Sequence, residues 1–265
     1  MPSVTSQDGT RIAYEHRGEG PTVVLVGGAL DDGAENAGLL EALEGWTVCT
    51  YSRRGRGRSG NSPAYAVERE IEDLAALVEA LGPPAHLFGA SSGGALVLRA
   101  VAAGFAVARV AVYEVPYMVD EGMVQVWGAY RRDLAAALDD GRHGDAVALF
   151  MGLAGASPED VAGARASEYW PQLEAVAPTL AHDAACLGDG VVPVELLGSI
   201  DVPVLVATGA VLDPVMGGLQ PGFFDDAAEA ITTAVPRAER AVVPGTGHRV
   251  DPARLAPVLD AFYRG

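Results

Sequence analysis

The chain has 265 residues, 49% of them hydrophobic, a formal net charge of −17, and arginine in place of any lysine. That length and apolar content suit one α/β domain with an insertion better than two independent domains, and so acidic a surface excludes nucleic acid, which needs a positive face for its phosphates. Met1 to Asp8 carry no basic cluster or apolar stretch, and Arg99 and Arg109 interrupt the long apolar segments; the expectation is a cytoplasmic protein, neither secreted nor membrane-spanning.

In chain order, Val4 to Ser6 and Arg11 to Glu15 flank Asp8-Gly9, a pair whose turn geometry matches strand twist, and are expected to form a β-hairpin. Thr22 to Val26 is a continuous β-branched run ending at Gly27-Gly28, and Trp46 to Tyr51 repeats the pattern, as buried parallel strands do. Glu68 to Leu81 places Ile71, Leu74, Leu77, Val78 and Leu81 at helical spacing. Further strands are expected at Ala85 to Phe88, Val107 to Tyr113, Val202 to Thr208 and Ala238 to Val243, with a closing helix from about Asp251 to Tyr263. Strands alternating with helices imply a doubly wound parallel sheet. Between Val115 and about Ile200 the pattern becomes helical, over Glu121 to Asp139, Gly144 to Leu153, Pro158 to Tyr169 and Leu173 to Leu187. The expected division is a core of residues 1–114 and 201–265 with a helical cap, 115–200, inserted after the sixth strand.

Ser91 sits in Gly89-Ala90-Ser91-Ser92-Gly93, between an apolar strand and the helical run Gly94 to Ala100. Small residues on both sides let the backbone fold sharply under Ser91, and the following helix aims its first amides at the same place. This is a nucleophile elbow, and the absence of Gly-x-Gly-x-x-Gly spacing or of a following Gly-Lys-Ser/Thr argues against a nucleotide-binding turn. Arg53-Arg54-Gly55-Arg56-Gly57-Arg58 is read as a structural loop. Cys49 and Cys186 have neither metal-ligand nor disulfide spacing and are expected to be buried thiols. The arginine- and alanine-rich composition fits a GC-rich bacterial genome.

With Gly27-Gly28-Ala29, Arg54-Gly55-Arg56-Gly57-Arg58-Ser59, the elbow at Ser91 and Gly245-Thr246-Gly247-His248, nearly the whole chain resembles the α/β-hydrolase superfamily, in particular small capped bacterial hydrolases of the esterase, haloperoxidase and epoxide-hydrolase-like branch. The resemblance implies a mostly parallel doubly wound sheet, Ser91 as nucleophile, His248 as general base, and the amides of Ala29 and Ser92 as the oxyanion hole. Two positions stay open for the acid that orients His248. Asp213, in Gly209-Ala210-Val211-Leu212-Asp213-Pro214, follows the seventh strand one residue later than the usual spacing and is preferred; Glu114 ends the sixth strand, where some dehalogenase-like members carry the acid. Gly27-Gly28 stands where relatives often have His-Gly, and Ser52 where they often have Asp.

The function expected is that of a cofactor-free, metal-free serine hydrolase that cleaves an ester, lactone or thioester of a small molecule through an acyl-enzyme on Ser91. Acyl transfer, carbon–carbon bond hydrolysis and perhydrolysis remain open with the same residues, as does a ligand-binding protein on a hydrolase scaffold. Tyr117, Trp127, Tyr130, Phe150, Met151, Tyr169 and Trp170 are the large apolar cap residues, and Tyr117, Trp127, Tyr130, Phe150 and Trp170 are taken as substrate-binding, for an apolar or aromatic acyl compound. Oligomeric state is not legible.

Overall fold

The computed structural model describes residues 2–62, 64–213 and 216–265; Met1 and Pro214, both named above, lie outside them. In chain order the elements are β1 (Ser3–Thr5), β2 (Arg11–Arg17), β3 (Thr22–Val26), α1 (Leu39–Ala42), β4 (Thr47–Tyr51), α2 (Val67–Leu81), β5 (Ala85–Ala90), α3 (Ser92–Ala102) and β6 (Val110–Tyr113). Then come α4 (Glu121–Asp139), α5 (His143–Leu153), α6 (Pro158–Arg165), α7 (Trp170–Val176), a 3-10 turn at Ala177–Thr179, α8 (Leu180–Leu187) and α9 (Val194–Leu197). β7 (Val204–Gly209), α10 (Phe223–Ala234), β8 (Ala238–Val243) and α11 (Pro252–Arg264) complete the chain.

The described strands form one eight-stranded sheet in the order β1-β2-β4-β3-β5-β6-β7-β8. β1 and β2 pair antiparallel, as do β2 and β4, and every later neighbour is parallel. The doubly wound, mostly parallel sheet is therefore as expected. β3, β5 and β6 are buried at every position because helices cover both faces. On one face Leu74, Leu77, Leu96 and Val97 pack against Val24, Leu87 and Val112; on the other, Leu39, Leu255, Leu259 and Tyr263 pack against Val23, Leu25 and Phe88. The helices between β6 and β7 continue the first of these cores through Trp127, Leu134, Val147 and Leu180.

Several boundaries differ from the expectation for local reasons. The run Leu173 to Leu187 is split, since Pro178 has no amide to donate and the chain tightens into the 3-10 turn before α8. β6 begins at Val110 rather than Val107. Helix α10 carries no long-side-chain stripe; its inward face is Phe223, Ala227, Ala228 and Ile231, and alanines give little periodic contrast.

The arginine loop after β4 is structural, as read, but its charges lie inside. Arg53, Arg54 and Arg56 are at most 2% exposed. Arg54 donates to both Asp73 oxygens and to Asp8, and Arg53 to both Glu70 oxygens. Both cysteines are buried, and burial pushes the Cys186 thiol up to about 12. Among the described residues no helix is long and apolar enough to cross a membrane.

Candidate active site

β5 ends at Ala90 and α3 starts at Ser92, so Ser91 alone makes the turn, at φ 53° and ψ −127°. L-residues rarely adopt that region, and such strain persists only where the surroundings over-determine it. Here the Ser91 amide donates to Tyr113 O (2.9 Å) and the Ser91 carbonyl accepts from Gly94 N (2.9 Å). A Cβ at Gly89 would lie 2.6 Å from Gly93 O, and one at Gly28 3.0 Å from Ser91 Cβ, so glycine at both positions gives the turn its room. Ser91 stays half-buried at the first turn of α3, where unpaired amides favour negative charge.

Among the described residues only Leu30, Ser91 and Glu114 combine a side chain with positive φ. Two are residues named from the sequence and the third follows Ala29. Glu114, at φ 47°, is 4% exposed; its Oε1 accepts the Gly209 amide (2.8 Å) and its Oε2 lies 2.8 Å from His248 Nδ1. The loop carrying His248 is tied down by Tyr113 Oη, which donates to Gly247 O (2.6 Å), and by Thr246 Oγ1, which accepts from Asp251 N (3.1 Å). The carboxylate on His248 Nδ1 is thus the one at the end of β6, which reverses the preference for Asp213. Asp213 is half-buried in the loop after β7, its carbonyl accepting from Met216 N (2.9 Å). The physical reason is the kink at Glu114, which aims a strand-end side chain along the sheet edge toward β7 and the last loop.

Ser91 and His248 line one cleft enclosing about 650 Å³, part of it open to solvent, together with Ala29 and Ser92. Trp127, Tyr130 and Phe150, taken from the sequence as substrate-binding, are in its wall. Tyr117 and Trp170, also taken as substrate-binding, are not in its wall. Tyr117 is fully buried where the chain leaves the sheet, and Trp170 packs under the Arg165 guanidinium, 5.0 Å away, inside the helical segment. Size alone singled them out, and the helical segment has a core of its own to fill. Met151 likewise packs against that core, and Tyr169 is 75% exposed.

Other wall residues had no sequence signal. Met118, Met123, Met216, Leu219 and Phe223 complete an apolar lining, and Phe224 stacks on the His248 ring at 4.9 Å. Asp183, from α8, is the one carboxylate among the described residues of the wall, and it is already paired with Arg53 (2.7 Å) and Arg56 (2.7 Å). Burial would push its pKa up, but Arg56 and Arg53 outweigh that and hold it below the usual carboxylate range. Chemically, the arrangement offers a hydroxyl at a helix N-terminus, an imidazole oriented by a buried carboxylate, and an apolar cleft with no free cation among the described lining residues. No group of three or more described His, Cys, Asp or Glu residues is placed to hold a metal.

A profile described as "Alpha/beta hydrolase family" matches residues 23–258. The chain is 42% identical to an alpha/beta hydrolase of Sphaerobacter thermophilus of known crystal structure, with TM-score 0.86 over 99% of this chain and 100% of that one. A thermophilic esterase of Thermogutta terrifontis superposes with TM-score 0.72 at 23% identity, covering 99% and 97% of the two chains. A bromoperoxidase of Bacillus anthracis gives 0.68 at 20% over the full length of both. These last two likenesses show the fold alone. Among curated proteins, the "Uncharacterized hydrolase YraK" of Bacillus subtilis is 37% identical over 95 residues, 34% of this chain and 35% of that protein's length.

Proposed function

The chain belongs to the alpha/beta hydrolase family, and from that premise we propose that it is a serine hydrolase cleaving an ester, lactone or thioester of a small, uncharged, apolar or aromatic acyl compound. The observation that carries the reading is one cleft holding Ser91 and His248, with Glu114 Oε2 2.8 Å from His248 Nδ1. With its Nδ1–H donated to Glu114, the imidazole leaves Nε2 free to accept a proton. Nε2 takes the Ser91 proton as Oγ bonds to the acyl carbon, and the carbonyl electron pair moves onto oxygen. The Ala29 and Ser92 amides hold that oxyanion. As it collapses, the leaving oxygen or sulfur departs with the proton from the imidazolium, and the acyl group stays on Ser91. Water, deprotonated by His248, then adds to the acyl carbon, and the acyl–Oγ bond breaks as the imidazolium returns its proton to Ser91 Oγ, releasing the acid.

Glu114, buried and anchored by the Gly209 amide, fixes the imidazole tautomer and stabilises the imidazolium. The cleft wall supports the substrate class, because Asp183 is already neutralised and, apart from Ser91, Ser92 and His248, the remaining described lining is apolar. Helices α4, α5 and α8 act as a cap over Ser91.

The test is Ser91→Ala. It is expected to fold, because the hydroxyl serves chemistry rather than packing, and to lose both covalent labelling by a fluorophosphonate and turnover of p-nitrophenyl butyrate. Labelling elsewhere on the chain together with retained turnover would overturn the assignment.

A further inference from the structure

The loop expected to present one oxyanion donor, Gly27-Gly28-Ala29, has two consecutive glycines and with them the widest backbone freedom available. What stiffens it comes from outside the loop. Arg56 Nη1 donates to Gly28 O and to Asp31 O (3.2 Å), and Arg53 Nη1 donates to Gly27 O (3.3 Å). A peptide unit is planar and trans, so its carbonyl and its amide hydrogen point in opposite directions. Fixing Gly28 O toward Arg56, which is 1% exposed, turns the N–H of the same peptide, that of Ala29, away from the interior and toward the cleft that Ala29 lines. The other proposed donor, the Ser92 amide, is set by the first turn of α3.

The guanidinium is held in turn. Arg56 Nη2 donates to both Asp183 oxygens (2.8 and 2.7 Å), Arg53 Nη1 donates to Asp183 Oδ1 (2.7 Å), and Ser92 Oγ donates to the same oxygen (2.7 Å). Asp183, on α8, thereby joins the arginine loop, the glycine loop and the start of α3 at one buried point. Resting on the serine-hydrolase reading above, we propose that Arg56, pinned by Asp183, is the positioning residue for the Ala29 amide, so that a side chain of the helical segment completes the oxyanion hole.

The discriminating variant is Arg56→Lys. It keeps the buried charge, but its single nitrogen cannot reproduce the guanidinium fork that spans the Asp183 carboxylate and the Gly28 carbonyl. Wild type, Arg56→Lys and Ser91→Ala are compared on p-nitrophenyl butyrate and on an alkyl trifluoromethyl ketone, which adds to the serine as a tetrahedral adduct, with folding checked by near-ultraviolet circular dichroism. Arg56→Lys is expected to lose about 10- to 100-fold in kcat with KM unchanged, since a misaimed donor costs transition-state binding only. Its affinity for the ketone falls in parallel. A folded Arg56→Lys with normal kcat and ketone affinity, or with raised KM alone, overturns the proposal, and so does a lowered melting temperature with kcat intact. If Arg56→Lys does not fold, Asp183→Asn, which removes the ionic hold but keeps an acceptor, is read by the same split. An active Ser91→Ala would instead sink the underlying reading, whereas an inactive Ser91→Ala beside a normal Arg56→Lys sinks only the positioning role.

Discussion

Glu114 shows how a single backbone dihedral can bring together two groups far apart in sequence. Its φ of 47° is what turns the carboxylate from the end of β6 onto His248 Nδ1, and no feature of Val110-Ala111-Val112-Tyr113-Glu114 foretells a left-handed residue there. A carboxylate in that position sets the imidazole tautomer, so Glu114→Gln is expected to lower kcat by about 10³- to 10⁴-fold, far more than Asp213→Asn. Rates on p-nitrophenyl butyrate, with both variants folded by circular dichroism, check this; the reverse order would return the acid to the loop after β7. The turns that carry Ser91 and His248 were legible because each is flanked by glycine after a strand, a local signal. Asp183 and Phe224 were not, since their place in the wall arises from α8 and the start of α10 meeting the sheet edge, which is a matter of packing.

At the scale of elements, the loop after β4 is the instructive piece. Four arginines in six residues, Arg53 to Arg58, carry no local signal of burial, yet three of them are core residues, each matched by acids on α2, α8 or the β1–β2 turn. A buried pair contributes little net stability but is costly to break from one side, because the surviving charge has no water to turn to. Arg54→Met should therefore destabilise the fold by about 3–5 kcal/mol, leaving the charge of Asp73, on α2, buried without its arginine. Urea unfolding followed by far-ultraviolet circular dichroism measures it, and a change below about 1 kcal/mol would place these pairs with ordinary surface bridges. α2 was readable from its helical spacing and the central strands from continuous apolar runs, whereas α10 was not, half of its buried face being alanine.

For the whole molecule, buried ionisable groups predict how stability follows pH. Burial holds His86 and His182 down to about 4 from an ordinary 6.5. Between those values the unfolded chain binds protons that the folded chain refuses, so stability falls as pH drops from about 6.5 toward 4. Glu70 and Asp183 continue the trend: despite burial, their arginine partners keep them below the usual carboxylate range, and their contribution, complete above that range, is lost as pH falls through the folded values. The melting temperature is expected to decline steadily below pH 6.5, and the double variant His86→Gln/His182→Gln to flatten the upper part of that decline. An unchanged slope in the double variant would remove the histidines from the account. The sequence by itself determined the alternation of strands and helices, the two turns that present Ser91 and His248, and the place where the helical segment enters, since each is written in residues adjacent along the chain. Tertiary structure alone decided which carboxylate meets His248, which large side chains face the cleft rather than the core, and that the arginine loop lies inside. Those outcomes depend on residues far apart in sequence, such as Glu114 and His248 or Arg56 and Asp183, and no local periodicity encodes the distance between them.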